Sequence, residues 1–324
     1  MRRAFTATAT TESQSGKWVL ARRYCRRLAD PLTCSLLLLL TACAPPRGSR
    51  IVIGAKNFTE QVVLGELLAQ QIESVLAEEG HSDQKVARRF YLAGSYICQQ
   101  ALTNGRIDAY VEYTGTALTA ILKQPLPTNH DPDKVLATIR ALYASQYHVR
   151  VADPLGFNDT FAMVVRGDDA QRLHLHTISD LAKLAPSWRL GVGYEFESRP
   201  DGLPGLSAAY NLHFAALRTM DLGLLYRALA SHQVDIVAGN STDGAIRALR
   251  FTVLTDDRHY FPPYDAVPLV REDSIAQHPE IAIATARLAG KVTADDMQAM
   301  NDLIDGQHKD VAQVVRDFRK EKGL

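Results

Sequence analysis

Along the chain, short apolar runs alternate with stretches in which apolar residues recur every three or four positions. Residues 50–53 read as a short apolar strand ending at Gly54. Val62, Val63, Leu67, Leu68, Ile72, Val75 and Leu76 then fall at helical spacing, with Asn57 or Thr59 placed to cap that helix. The pattern predicts a strand over 86–92, a helix over 96–103 stopped at Asn104-Gly105, and a strand over 108–112. Tyr113-Thr114-Gly115-Thr116 and a helix to Leu122 follow, and a polar, Pro-rich break spans 124–132. Beyond the break come a helix over 134–146, a strand near 148–152 and a strongly β run over 160–165. Further on, short helices are expected at 179–184, 206–210 and 223–231, a loop at 200–204, and a helix starting at Thr242. Strands are expected at 189–192, 234–237 and 251–254, and residues 282–322 are helical throughout. Strands alternating with helices predict an α/β protein with mostly parallel sheets. The second half repeats the grammar of the first: Val234-Asp235-Ile236-Val237 echoes Ile107-Asp108-Ala109-Tyr110. Two similar lobes with a cleft between them follow, and ligand sites favour such boundaries.

The first residues break this pattern. Arg22, Arg23, Arg26 and Arg27 precede the apolar run 36–40, and Leu40-Thr41-Ala42-Cys43 closes the segment. A basic region, a short apolar region and small residues make an export signal. The tetrapeptide resembles the lipobox of bacterial lipoproteins, in which cleavage before the Cys leaves its thiol to carry lipid; a plain secretory signal is the alternative. Residues 1–42 would then be the signal peptide, Cys43 the lipidated residue, and 43–50 the tether. The mature protein would sit in the periplasm or on the outer face of the cytoplasmic membrane, anchored and not spanning. With Cys25, Cys34 and Cys43 thus accounted for, Cys98 has no partner for a disulfide and reads as a buried small hydrophobe.

Charge narrows the partners. Over the whole chain, 36 basic side chains balance 36 acidic ones. Without residues 1–42, 29 basic stand against 34 acidic, a net charge of −5. A mildly acidic body argues against nucleic acid, which needs a basic face. Enzyme signatures such as Gly-x-Ser-x-Gly, His-Glu-x-x-His and Gly-x-x-x-x-Gly-Lys are missing from the sequence. His174 and His176 lack a third ligand at metal spacing and fit a solvated loop. Asp168-Asp169 and Asp295-Asp296 fit first turns of helices. No cofactor or metal is expected.

What remains is a set of cations and aromatics at strand–helix junctions, where α/β folds bind ligands. Lys56 follows the first strand, and Tyr113 and Thr116 follow the third. Phe161 follows Asn158-Asp159, Arg199 lies in a loop, and Tyr264 follows Pro262-Pro263. Two cations and three rings suit a zwitterion with a carboxylate and a bulky cation.

Four stretches make the pattern specific: 53–61 (IGAKNFTEQ), 108–116 (DAYVEYTGT), 156–162 (GFNDTFA) and 261–266 (FPPYDA), with the shorter 241–244 (STDG). In order and spacing they resemble the substrate-binding proteins of osmoprotectant ABC importers, which take glycine betaine, choline and related quaternary ammonium compounds. The resemblance spans about 51–324. It implies a two-lobed periplasmic-binding-protein fold (type II) with two crossovers and a central ligand cleft. Residues 51–153 and 262–324 would form lobe 1 and residues 154–261 lobe 2, with the C-terminal helices completing lobe 1. It implies an ABC permease as membrane partner, a small zwitterionic or quaternary ammonium ligand, a monomer, and no enzyme activity. By position, Lys56, Thr116 and Arg199 resemble the family's carboxylate-binding groups, and Tyr113 and Tyr264 walls of its aromatic cage; Asp159 joins this ligand set. Phe161 stands where the family often has Tyr, and Asn240 where many members have another cage Tyr. A betaine that hydrogen-bonds Asn240 would fit that change. An extracytoplasmic sensor, or an enzyme on the same fold, is the alternative.

Overall fold

The computed structural model describes residues 50–125 and 130–324. The signal, the lipobox with Cys43 and most of the tether lie outside the described residues.

Strand β1 (Ile51–Lys56) is buried along nearly its whole length, as a central strand covered on both faces requires. It leads into α1 (Thr59–Glu78), whose apolar positions Val63, Leu64, Leu67, Leu68, Ile72 and Val75 enter the core. Neither Asn57 nor Thr59 caps this helix. Its N-cap is Phe58, without a side-chain bond, and the Thr59 hydroxyl instead donates to Asp305 at 2.5 Å. Next come β2 (Val86–Leu92), α2 (Ser95–Thr103) and β3 (Ala109–Tyr113). The short helix Thr114–Thr116 then runs into a π-helical turn at Ala117–Ile121. Helix α3 (Pro132–Tyr147), capped by the Asp131 carboxylate, precedes β4 (Val149–Val151).

The chain then crosses over. Strand β5 (Phe161–Arg166) enters a second sheet and is followed by α4 (Gly167–Leu173), β6 (Arg189–Val192), α5 (Tyr194–Ser198) and α6 (Leu203–Tyr210). Strand β7 (Ala216–Thr219), α7 (Leu222–Ala230), β8 (Ile236–Asn240), α8 (Gly244–Ala248) and β9 (Phe251–Leu254) complete it. A second crossover returns β10 (Ala266–Arg271) to the first sheet. Helices α9 (Glu272–Gln277), α10 (Glu280–Leu288), α11 (Ala294–Asp305) and α12 (Val311–Lys322) follow, and the last three pack on α1.

The strand orders are β2-β1-β3-β10-β4 and β7-β6-β8-β5-β9. They superimpose term by term, with β10 in the first sheet standing where β5 stands in the second. Both of these strands arrive from a crossover and run antiparallel to both neighbours. The sheets are therefore mixed, not mostly parallel. A strand delivered from the other lobe enters from the opposite end. The sequence echo is structural: Asp108 and Asp235 do the same work in each half. Asp108 accepts from the Val52 N–H at 2.7 Å, and Asp235 from the Arg189 N–H at 2.8 Å, each tying the start of one parallel strand to its neighbour. The expected α/β fold of two lobes joined by two crossovers is the fold observed. The crossovers lie side by side, with Asp159 N–H donating to Tyr264 O at 3.1 Å and Ala266 N–H to Phe157 O at 3.2 Å.

Candidate functional site

Between the two sheets lies a cleft of about 100 Å³. All eight residues singled out in the sequence line it: Lys56, Tyr113, Thr116, Asp159, Phe161, Arg199, Asn240 and Tyr264. The topology explains the convergence. Lys56 ends β1, Tyr113 ends β3, Phe161 begins β5 and Asn240 ends β8. Asp159 and Tyr264 sit on the adjoining crossovers, so each comes from a chain segment shared by both lobes. A bulge contributes too. The β1–β2 register slips between Gly54 and Lys56, and Tyr91 there takes φ 60°. The pairing resumes with Lys56 opposite Leu92, just before Ala93, Gly94 and Ser95, which also line the cleft.

Phe161, Phe196 and Tyr264 form one connected ring cluster. Phe161 meets Tyr264 edge-on at 5.4 Å between centroids and Phe196 at 4.8 Å. Phe161 and Asn240 are direct cross-strand partners in the β5–β8 ladder, so the two positions expected to differ from the resembled family are neighbours. The Asn240 backbone N–H donates to Asp243 at 2.8 Å. Helix α8 starts at Gly244, and its N-cap, Asp243, has no side-chain cap bond. Asn240 is therefore not that helix's N-cap, and the residue lines the cleft.

The two cations differ from expectation: each already has a buried carboxylate. Lys56 Nζ bonds Glu112, and both side chains are buried. Arg199 holds Asp201 in a fork, Nε to Oδ1 at 2.9 Å and NH2 to Oδ2 at 2.6 Å, and also donates to Thr116 at 3.0 Å. Burial works against both charges. Their mutual attraction overrides it, so Arg199 is held above and Asp201 below the ordinary range. The Tyr264 hydroxyl donates to Asp201 at 2.7 Å, fixing its ring against this pair. Lys56 lies 4.8 Å from the Tyr113 centroid, and the Arg199 guanidinium 5.0 Å from that of Phe161. Glu195 on α5 reaches the start of α2, accepting from the Ser95 N–H at 2.6 Å and its hydroxyl at 3.1 Å.

Sequence reasoning missed Glu60, Glu112, Glu195, Phe196 and Asp201. The signal available was weak: Glu112 is a carboxylate inside a strand otherwise buried throughout, and Asp201 lies two residues after Arg199. Glu60 is the most deeply involved. It accepts from the Tyr113 hydroxyl at 2.6 Å, from the Thr242 hydroxyl, and from Asn301 at 3.2 Å. Burial pushes its carboxyl up to about 7, against the pull of those hydrogen bonds. Asp159 accepts from the Ser241 hydroxyl at 3.3 Å and the Thr242 N–H at 3.2 Å, and burial, then the nearby Glu60, raise it well above the carboxylate range. Burial likewise takes Asp243 to about 7. Cys98 is fully buried, and burial pushes its thiol up to about 12, which makes it inert. His174 and His176 are exposed.

A family model described as the substrate-binding domain of an ABC-type glycine betaine transport system matches residues 49–321. The chain is 33% identical over 306 residues to an ergothioneine transport permease/ergothioneine binding protein of Helicobacter pylori, covering 92% of this chain but 53% of that longer protein. It is 33% identical over 288 residues to a carnitine transport binding protein of Listeria monocytogenes, covering 87% of this chain and 91% of the other. A crystal structure titled as a glycine betaine/carnitine/choline ABC transporter shares the fold with a TM-score of 0.69 at 33% identity, over 84% of this chain and 98% of its own. A cleft between two mixed sheets, walled by rings and paired ions, is thus found on a chain matched along almost all of its described length. The protein belongs to the family of substrate-binding domains of ABC-type glycine betaine transport systems.

Proposed function

We propose that the protein is an extracytoplasmic lipoprotein, anchored through Cys43, that captures a quaternary ammonium solute for an ABC permease by closing two lobes over it. The observation that carries this reading is the convergence of Tyr113, Phe161 and Tyr264 with Lys56, Thr116 and Arg199 in one cleft. Ring faces hold a trimethylammonium group that cannot hydrogen-bond. Thr116, Arg199 and Lys56 receive the ligand's carboxylate, in competition with Asp201 and Glu112. Lobe 1 comprises residues 51–153 and 262–324, lobe 2 residues 154–261, and the working unit is a monomer. Closure is supported by bonds that span the cleft: Glu195 to Ser95, Arg199 to Thr116, Asp201 to Tyr264 and Glu60 to Thr242. The Asn240 amide fits a ligand with a further hydrogen-bonding group, as carnitine and ergothioneine have and glycine betaine lacks.

A thermal-shift screen of the processed protein tests this. Glycine betaine, choline, carnitine and ergothioneine should include at least one ligand that raises the midpoint in a concentration-dependent way, while ordinary amino acids do not. A midpoint raised only by amino acids, or by none of these compounds, contradicts the reading.

A further inference from the structure

The carboxylates of Glu60, Asp159 and Asp243 form a cluster against the aromatic side of the cleft. Glu60 comes from α1, Asp159 from the first crossover, and Asp243 from the turn before α8. Asp159 lines the cleft itself and is 5% exposed. The groups packed around the three are hydroxyls, amides and further acids. They are Tyr113 from β3, Ser241 and Thr242 from the β8–α8 turn, Tyr226 from α7, and Asn301 and Asp305 from α11. Among the described residues no Lys, Arg or His makes an ion pair with any of the three. The nearest cations of the site are Lys56, beyond the Tyr113 ring, and Arg199, beside the Phe161 ring. Each is committed to its own carboxylate, Glu112 and Asp201.

Two buried carboxylates, Glu60 and Asp159, and the half-buried Asp243 beside them do not all stay ionised without a counter-ion; like charges and a dry surrounding keep protons on them. A quaternary ammonium ion cannot hand off its charge, because it has no proton to lose. Seated among Tyr113, Phe161 and Tyr264, it brings a fixed positive charge beside Asp159, and that charge favours the ionised form of the cluster. We propose that capture of a quaternary ammonium ligand releases a proton from the Glu60–Asp159–Asp243 cluster, with Asp159 becoming the counter-ion of the bound cation. A carboxyl O–H bond breaks, the proton leaves to solvent, and the ligand's cation takes over its electrostatic place. The proposal rests on reading the cleft as a quaternary ammonium site, and it makes affinity depend on pH although choline and glycine betaine themselves do not titrate near neutrality.

Titration calorimetry of the processed wild-type protein with choline and with glycine betaine, from pH 5.5 to 8.5 in two buffers of different ionisation enthalpy, counts the protons released. The expected result is net release near pH 6.5 and a Kd that falls by about tenfold across the range. Asp159→Asn should bind more weakly and lose most of that dependence. The uncharged choline analogue 3,3-dimethylbutan-1-ol should bind the wild type with no proton release. Binding of choline or glycine betaine with no proton exchange and a constant Kd overturns the coupling and leaves the site reading standing. Failure of choline and glycine betaine to bind at every pH overturns the coupling, and failure of carnitine and ergothioneine as well overturns the site reading with it.

Discussion

Arg199 holds Asp201 by two hydrogen bonds and still reaches Thr116, so removing its side chain uncovers a buried carboxylate as well as a ligand contact. Arg199→Ala should weaken ligand binding by about 2 kcal/mol or more and also lower the apo midpoint. Arg199→Lys should not restore both, since the fork is lost; calorimetry and thermal melts read the two effects separately. Asn240 tests the opposite case. A Tyr there would face Phe161 across the ladder and add a wall to the cage, so Asn240→Tyr should tighten glycine betaine binding by about tenfold with little change in apo stability. A drop in stability with unchanged affinity would show that the amide serves the fold. At this scale the sequence was readable where chemistry coincides with position: a Lys, Tyr or Phe at a strand end is conspicuous. The carboxylates that hold those residues were not, because Glu60, Glu112 and Asp201 look like ordinary surface charge until the fold buries them.

The short helix Thr114–Thr116 sits so close to the second crossover that a Cβ on Gly115 would lie 2.7 Å from the Tyr264 ring and 2.8 Å from the Pro263 carbonyl. Gly115→Ala should therefore push Tyr264 off its position. The expected cost is about 1–3 kcal/mol of stability together with weaker ligand binding, measured by denaturant melts and calorimetry. Helix α1 carries the other test. Glu60 is raised from 4.5 to about 7 in the folded protein. A carboxyl raised on folding adds stability that is full below its unfolded value and is lost as pH rises through its folded value. Apo stability should thus fall between pH 5 and 8, and Glu60→Gln should flatten that slope in thermal melts. Regular strands and helices were legible from periodicity, and β2, β6 and β9 appear at the bounds expected. Strand β10 was not, because Pro268 interrupts its run, and a proline argues against an interior strand. Strand β7 is short and largely exposed, so it lacks the apolar signal of its neighbours. Missing β10 also hid the antiparallel member of the first sheet.

For the whole molecule, the doubled strand order and the paired crossovers make two bodies that meet at a cleft, with rings and cations drawn from both. The repeat of Asp108 by Asp235 shows how much of this architecture is written locally: one aspartate before a strand ties the same pair of parallel strands in each half. Anchoring belongs to this scale. Cys43→Ser should yield protein that takes up no palmitate label and is free of the membrane or unprocessed. The proposed function stands on ring faces in this cleft holding a quaternary ammonium ion. Phe161→Leu tests it most directly, because the substitution keeps an apolar side chain, removes the π face and breaks no hydrogen bond. Calorimetry of wild type and variant with the ligand that most raises the wild-type midpoint should show binding weakened by about tenfold or more. An unchanged Kd for a quaternary ammonium ligand in Phe161→Leu would show that the ring face does not hold the cation.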